Sequence, residues 1–196
     1  MKAVTLITSC RRNGNSKKIV DRLTIGIEDA GGSNEVLFLD DYNIHCCTGC
    51  GKCKQGGGCV LNDDLNELLD KIRASDYFIF SAPIYFGDLA GQSKMFLDRM
   101  GSAGSDPELE MKEKKTAIVL THFSDTINDF VIENTHRGIV TANFKVNKII
   151  DVGGLLGKQF TEDELEGYED IGYELEDYEI IPHKLDLINN TVEDSL

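Results

Sequence analysis

Four of the chain's six cysteines fall in one short run, Cys47-Thr-Gly-Cys50-Gly-Lys-Cys53-Lys-Gln-Gly-Gly-Gly-Cys59, with the spacing C-x2-C-x2-C-x5-C. Thiolates two residues apart in a loop fold back so that several sulfurs face one inorganic centre, and four of them complete the ligand shell of a [4Fe–4S] cube. Gly49, Gly51 and the triplet Gly56 to Gly58 suit that chemistry, because a backbone free to take positive φ wraps a bulky centre without Cβ clashes. Two other readings stay open. Zinc accepts four thiolates, although its sites usually pair two C-x2-C knuckles across a longer stretch. The other alternative is a set of reduced, unmetallated thiols, since the ferredoxin-type run closes with a shorter gap and a Pro that this chain lacks.

Such a loop needs elements to position it, and the sequence supplies them in alternation. Ala3 to Thr8, Glu35 to Leu39, Tyr77 to Phe80, Thr116 to Leu120 and Val146 to Val152 are short apolar, β-branched or aromatic runs bounded by polar residues or Gly, as buried strands are. Helical spacing fills the intervals Ser16 to Ala30, Asp64 to Ala74, Gln92 to Met100 and Asp125 to about Val140. Strand alternating with helix predicts an α/β fold, a doubly wound parallel sheet of five strands with helices on both faces. Ligands of such sheets sit beyond the carboxyl ends of the strands where strand order reverses, which directs attention to the loops after the first and third strands.

The first of these loops, Ser9-Cys-Arg-Arg-Asn-Gly-Asn-Ser16, runs straight into a helix and outlines an anion cradle: small polar side chains, a Gly and the free N–H groups of a helix start. Arg11, Arg12, Lys17 and Lys18 make it a basic island. The alternative is an ordinary capped turn with Asn15 or Ser16 as N-cap. No G-x-x-x-x-G-K-[ST] or G-x-G-x-x-G pattern is present, so neither a P-loop nor a standard dinucleotide fingerprint is supported. In the second loop Pro83 is expected to end a strand, Tyr85 and Phe86 to offer flat apolar surface, and Gly87 to let backbone approach a planar ligand such as a flavin.

Together, Ser9-x-Arg11-x-x-Gly14-Asn15-Ser16, Ala82-Pro-Ile-Tyr-Phe-Gly87 and Lys94-x-Phe96-x-Asp98-Arg99 resemble the FMN-binding signature of the NAD(P)H-dependent FMN reductase branch of the flavodoxin-like fold. With the cysteine run after the second strand, the chain is similar to the iron-sulfur flavoproteins of that branch, over about residues 1 to 150. The resemblance implies FMN, a [4Fe–4S] cluster, NAD(P)H or a ferredoxin as electron partner, and a homodimer or homotetramer in which each FMN lies near a neighbour's cluster. It implies that Ser9, Arg11, Asn13, Asn15 and Ser16 hold the FMN phosphate and that Pro83, Ile84, Tyr85, Phe86 and Gly87 line the isoalloxazine ring. Cys47, Cys50, Cys53 and Cys59 would ligate the cluster, with Cys46 able to replace Cys47 after a small shift of the loop. The third flavin loop of relatives is often Gly-rich, whereas this chain has Thr121-His-Phe-Ser-Asp125, leaving His122 and Ser124 as candidate flavin contacts.

Composition bounds the alternatives. A formal net charge of −14 argues against nucleic acid and anionic membrane surfaces as partners, since both need a basic footprint. Residues 160–179 carry ten acids and no Lys or Arg, so the acidity is concentrated there. Residues 1–155 are expected to form the FMN-binding domain and 156–196 an acidic extension, with Thr161-Glu-Asp-Glu164 as a capping box opening a helix toward Tyr178. Tyr168, Ile171, Tyr173, Leu175 and Tyr178 would face a partner, or the segment would be a solvated arm. Met1 to Ser9 lack a leader pattern and no apolar run reaches membrane-spanning length, so a soluble cytoplasmic protein with reduced thiols is expected. No Ser/His/Asp arrangement or H-E-x-x-H pair stands out, and His45, His122, His136 and His183 read as surface or loop residues. Three function classes remain: an electron-transferring iron-sulfur flavoprotein, a cluster-free FMN enzyme reducing quinones, azo compounds or free flavin with NAD(P)H, and a non-enzymatic carrier of the flavodoxin kind.

Overall fold

The apolar runs become strands of one sheet. The computed structural model describes residues 1–104, 114–154 and 159–182. Its elements run β1 (Lys2–Ile7), α1 (Asn15–Asp29), β2 (Ser33–Phe38), α2 (Leu65–Arg73), β3 (Tyr77–Tyr85), β4 (Asp88–Leu89), α3 (Gly91–Gly104), β5 (Lys115–Thr121), α4 (Asp129–Thr141), β6 (Lys145–Val152) and α5 (Tyr168–Tyr173). The order is β2-β1-β3-β5-β6, all parallel, which is the flavodoxin-like doubly wound topology. Beside the five expected strands stands β4, a two-residue strand paired antiparallel to the end of β3.

Each helix buries one stripe. In α2 Leu65, Leu68, Leu69 and Ile72 are wholly buried, joining Phe78, Phe80, Phe96 and Met100 on one face of the sheet. On the opposite face α1 packs Ile19, Leu23 and Ile27 against Ala3, Ile79, Ala117 and Val119. One helix cannot cover that face, and residues 160–175 complete it: Phe160, Leu165 and Leu175 enter the same core. Each such side chain contributes roughly 1.5–3 kcal/mol by leaving water. The tail thus lies against its own protomer, with Leu175 wholly buried and Tyr168 and Ile171 half-buried, while Tyr173 remains exposed.

The approach of α5 to α1 is backbone against backbone. A Cβ on Gly26 would stand 1.9 Å from the Glu169 carbonyl oxygen, and one on Gly172 would stand 2.2 Å from the Leu23 carbonyl oxygen. Asn147 adds a polar tie, donating to the Leu175 carbonyl at 2.7 Å while accepting from the buried Tyr77 hydroxyl. The long acidic helix expected from the capping box is not continuous. The box forms, with Thr161 N–H donating to Glu164 Oε2 at 2.9 Å, but it opens a single turn at Asp163–Leu165. Gly167 then takes φ +88°, ending that turn before α5 begins. The expected boundary at residue 155 and His183 lie outside the described residues. Among the described residues no helix is long and apolar enough to cross a membrane.

Candidate functional site

At the switch point between β1 and β3, three chain segments enclose a cleft. The first begins where β1 ends. Thr8 is fixed by its N–H to the Ser81 carbonyl at 2.8 Å and by its hydroxyl against Ser93 at 2.6 Å. The chain then turns, with Arg11 N–H donating to Ser9 Oγ at 3.3 Å and Gly14 N–H to the Arg11 carbonyl at 3.1 Å. Helix α1 starts with Gly14 as N-cap, no side-chain cap bond and no acid in its first turn. Its dipole and first-turn N–H groups therefore favour an anion at this end.

Most of the local basic charge is already committed. Arg12 pairs with Asp41 at 2.9 Å and stacks 4.3 Å over the Phe38 ring. Lys17 pairs with Asp21, and Lys18 donates to the Phe160 carbonyl at 2.7 Å. The Arg11 guanidinium is exposed and forms no ion pair among the described residues. It is the base of this island left to meet an incoming anion.

Ser9, Arg11, Gly14, Asn15 and Ser16 line the polar side of the cleft, and Pro83, Ile84 and Tyr85 line a flatter side. Thr121, His122 and Phe123, from the end of β5, close it. Ser16 Oγ and Thr121 Oγ1 meet at 2.9 Å, joining two of these segments. Asn13 is exposed and outside the lining, and Phe86 and Gly87 form the turn between β3 and β4 beyond it. Both turn residues have positive φ, +52° and +78°, as a two-residue type I′ hairpin requires. A non-Gly residue held there, with its ring fully exposed, marks strain at the mouth of the cleft.

Sequence spacing did not single out the environment of His122. Its side chain is 4% exposed rather than on the surface, and Nε2 lies 2.7 Å from Asp151 Oδ1. Gly153 makes room for it, since a Cβ there would stand 2.3 Å from His122 Cε1. His136 is also buried, against the surface reading. A partner acid 29 residues away on the neighbouring strand leaves no short-range signal.

The cysteine loop projects between β2 and α2 from a polar neck. Cys46, Cys47 and Cys50 are exposed, Cys53 and Cys59 half-buried, and all are free thiols. Gly49, Gly51, Gly56, Gly57 and Gly58 all take positive φ. Gly49 N–H points at Cys47 Sγ at 3.4 Å. The backbone N–H of Lys52, aided by the Thr48 hydroxyl, holds the Cys50 thiol below its ordinary range by favouring the thiolate. Arg99 Nη2 donates to Cys59 Sγ at 3.1 Å. Among the described residues no three Cys, His, Asp or Glu side chains are gathered tightly enough to hold a metal ion. The donor set, soft sulfurs that receive N–H bonds on a loop of glycine turns, nevertheless fits an iron-sulfur group chemically.

The neck is made by Arg99 and Asp63, whose side chains are 1% and 0% exposed. Two parallel bonds join them, at 2.7 and 3.0 Å. Asp63 also accepts from the His45 N–H at 3.0 Å, and Arg99 donates to the His45 carbonyl at 2.6 Å. Arg99, with lesser help from the backbone donors, holds the Asp63 carboxyl down at about 2. Arg99 belonged to a recognisable run, but its partner, 36 residues earlier, did not.

Known proteins resemble the chain in sequence and in fold. The NADPH-dependent FMN reductase family model matches residues 1–129. An iron-sulfur flavoprotein of Archaeoglobus fulgidus is 36% identical over 119 residues, covering 61% of this chain and 54% of that protein. One from Methanosarcina thermophila is 31% identical over 99 residues, covering 50% and 52%. The chain spans about half the length of these curated relatives. The NAD(P)H:quinone oxidoreductase from Methanothermobacter marburgensis shares the fold, with a TM-score of 0.73 at 17% identity over 90% of this chain and 97% of that one. The family match extends from the start of β1 to the first residue of α4, more than half of the chain, and on that ground the chain belongs to the NADPH-dependent FMN reductase family.

Proposed function

We propose that the chain is an FMN-dependent oxidoreductase that transfers electrons between FMN in the β1/β3 cleft and a [4Fe–4S] cluster on Cys47, Cys50, Cys53 and Cys59. FMN exchanges electrons in pairs or singly and the cluster one at a time, so the pair would link a two-electron donor such as NAD(P)H to one-electron partners such as a ferredoxin. The observation that carries this reading is the set of donors aimed at sulfur, reaching Cys47, Cys50 and Cys59 from Gly49, Lys52 and Arg99. The names of the curated relatives support it. In the cleft, the α1 N-terminus and Arg11 would bind the phosphate, while Pro83, Ile84 and Tyr85 would seat the ring away from water. A homodimer or homotetramer in a reducing cytoplasm belongs to the same reading.

Anaerobic purification followed by visible spectroscopy and assay of iron, sulfide and flavin tests it. About four irons and four sulfides per chain with FMN are expected. FMN without iron would favour the second reading, a cluster-free NAD(P)H-dependent reductase, which the separated cysteine side chains support. Replacing Cys50 by Ser is expected to abolish the iron signal and leave flavin stoichiometry unchanged, because the two groups use different loops. Simultaneous loss of both would count against separate sites.

Arg11→Ala removes a charge-assisted contact of about 1.5–3 kcal/mol. The dissociation constant for FMN, read by fluorescence quenching, is expected to rise roughly ten- to hundred-fold. An unchanged constant would place the phosphate elsewhere.

A further inference from the structure

Arg99 lies on α3 and is wholly buried, among the largest side chains hidden in the protein. A guanidinium is always charged, and placing one out of water is costly unless its donors are satisfied. Asp63 takes two of its bonds and the His45 carbonyl a third, and that set would already neutralise and anchor it. A fourth bond goes from Nη2 to Cys59 Sγ at 3.1 Å, shorter than the 3.4 Å between Gly49 N and Cys47 Sγ. Nε is left buried without a hydrogen-bond partner, so the group is oriented for its two Nη atoms at the expense of the third nitrogen. A neutral thiol is a weak acceptor, whereas a sulfur carrying negative charge is a strong one. The arrangement is suited to a Cys59 sulfur that is electron-rich, as a metal-bound thiolate is.

We propose that Arg99 is the positioning residue of the cysteine loop, fixing Cys59 as its immobile corner and raising the reduction potential of the cluster through its bond to that sulfur. This rests on the cluster reading given above. Cys46, Cys47 and Cys50 lie on the exposed glycine-turned stretch, while Cys59 is held from two sides, by Arg99 at its sulfur and by Asn66 Nδ2 at its carbonyl, 3.0 Å away. Hydrogen bonds to ligand sulfur stabilise the more electron-rich, reduced state and so move the potential upward. Arg99 also draws the two ends of the loop together, since its Nη1 and Nη2 reach His45 before the run and Cys59 at its close.

The test is an EPR-monitored redox titration of the anaerobically purified holoprotein, with iron and FMN measured on the same samples. The double variant Arg99→Gln with Asp63→Asn removes both buried charges together, so that neither is left unpaired. Arg99→Lys, which keeps a charge but not the fork of donors, is the second variant. Both are expected to retain FMN and to have a lower cluster potential, the one-electron equilibrium shifting about tenfold toward the oxidised form, or 59 mV. Selective loss of iron with FMN and circular dichroism unchanged would also support the anchoring of Cys59. Unchanged potential and iron content in a folded variant would overturn the inference and leave the cluster reading intact. A wild-type protein that carries FMN but no iron would overturn both, so the two failures are distinguishable before any variant is made.

Discussion

Gly26→Ala is expected to destabilise the protein by about 3 kcal/mol and to release residues 159–182 from the sheet. In an ordinary helix interior the same change stabilises by roughly 1 kcal/mol, because Ala has the better helix propensity. Here the new methyl would meet the Glu169 carbonyl oxygen at 1.9 Å and the Tyr173 nitrogen at 2.6 Å, both backbone atoms that cannot rotate aside. Overpacking of this kind costs about 1–3 kcal/mol or more, and detachment of the tail would add the exposure of Phe160, Leu165 and Leu175. The sign of the change therefore discriminates. A fall in melting temperature, with faster hydrogen exchange over residues 159–182, is expected. A rise would mean that α5 does not rest on α1.

The second large effect concerns the neck of the cysteine loop. Asp63→Ala leaves the Arg99 guanidinium buried without its counter-ion, and breaking a buried pair from one side costs about 3–5 kcal/mol. For a chain of this size that corresponds to a melting temperature lower by roughly 6–20 °C. The same pair gives a pH signature. The folded-state carboxyl is held at about 2, below its ordinary 3.8, so its contribution to stability is fully present above pH 3.8 and fades as the pH falls through about 2. Chemical denaturation at a series of pH values is expected to show this acid-side loss in the parent and not in Asp63→Ala. Equal slopes in both proteins would assign the acid sensitivity to other carboxyl groups.

Much of the fold was legible because its signals are local. The five parallel strands follow from short β-branched and aromatic runs, and α1, α2, α3 and α4 from residues at helical spacing. The ends of β1 and β3 were identifiable from the same order of elements; the loop after β1 meets the last residues of β3 in one cleft, the strand running on through Pro83 to Tyr85 instead of stopping at Pro83. What escaped had no pattern of its own. Strand β4 is two residues long, too short for periodicity, and its turn places a Phe where a Gly or Asn is usual. The tail's apolar residues were visible but not the surface they meet, because they are unevenly spaced and the closest approaches between α5 and α1 are glycine to backbone. His122 and Asp151 belong to adjacent strand ends, and Asp63 and Arg99 to separate elements, so pairing them requires the topology first.

Helix α3 touches both loops. Gln92 donates to the Thr8 carbonyl at 3.0 Å and Ser93 meets the Thr8 hydroxyl at the head of the cleft, while Arg99 closes the cysteine loop. Between them the helix rises about 1.5 Å and turns about 100° per residue. Adding or deleting one residue between Ser93 and Arg99 would swing the guanidinium off the neck even if the helix stayed intact. This stretch therefore acts as a ruler with a fixed reading, and sequence length can vary in the chain's outer loops far more freely than here.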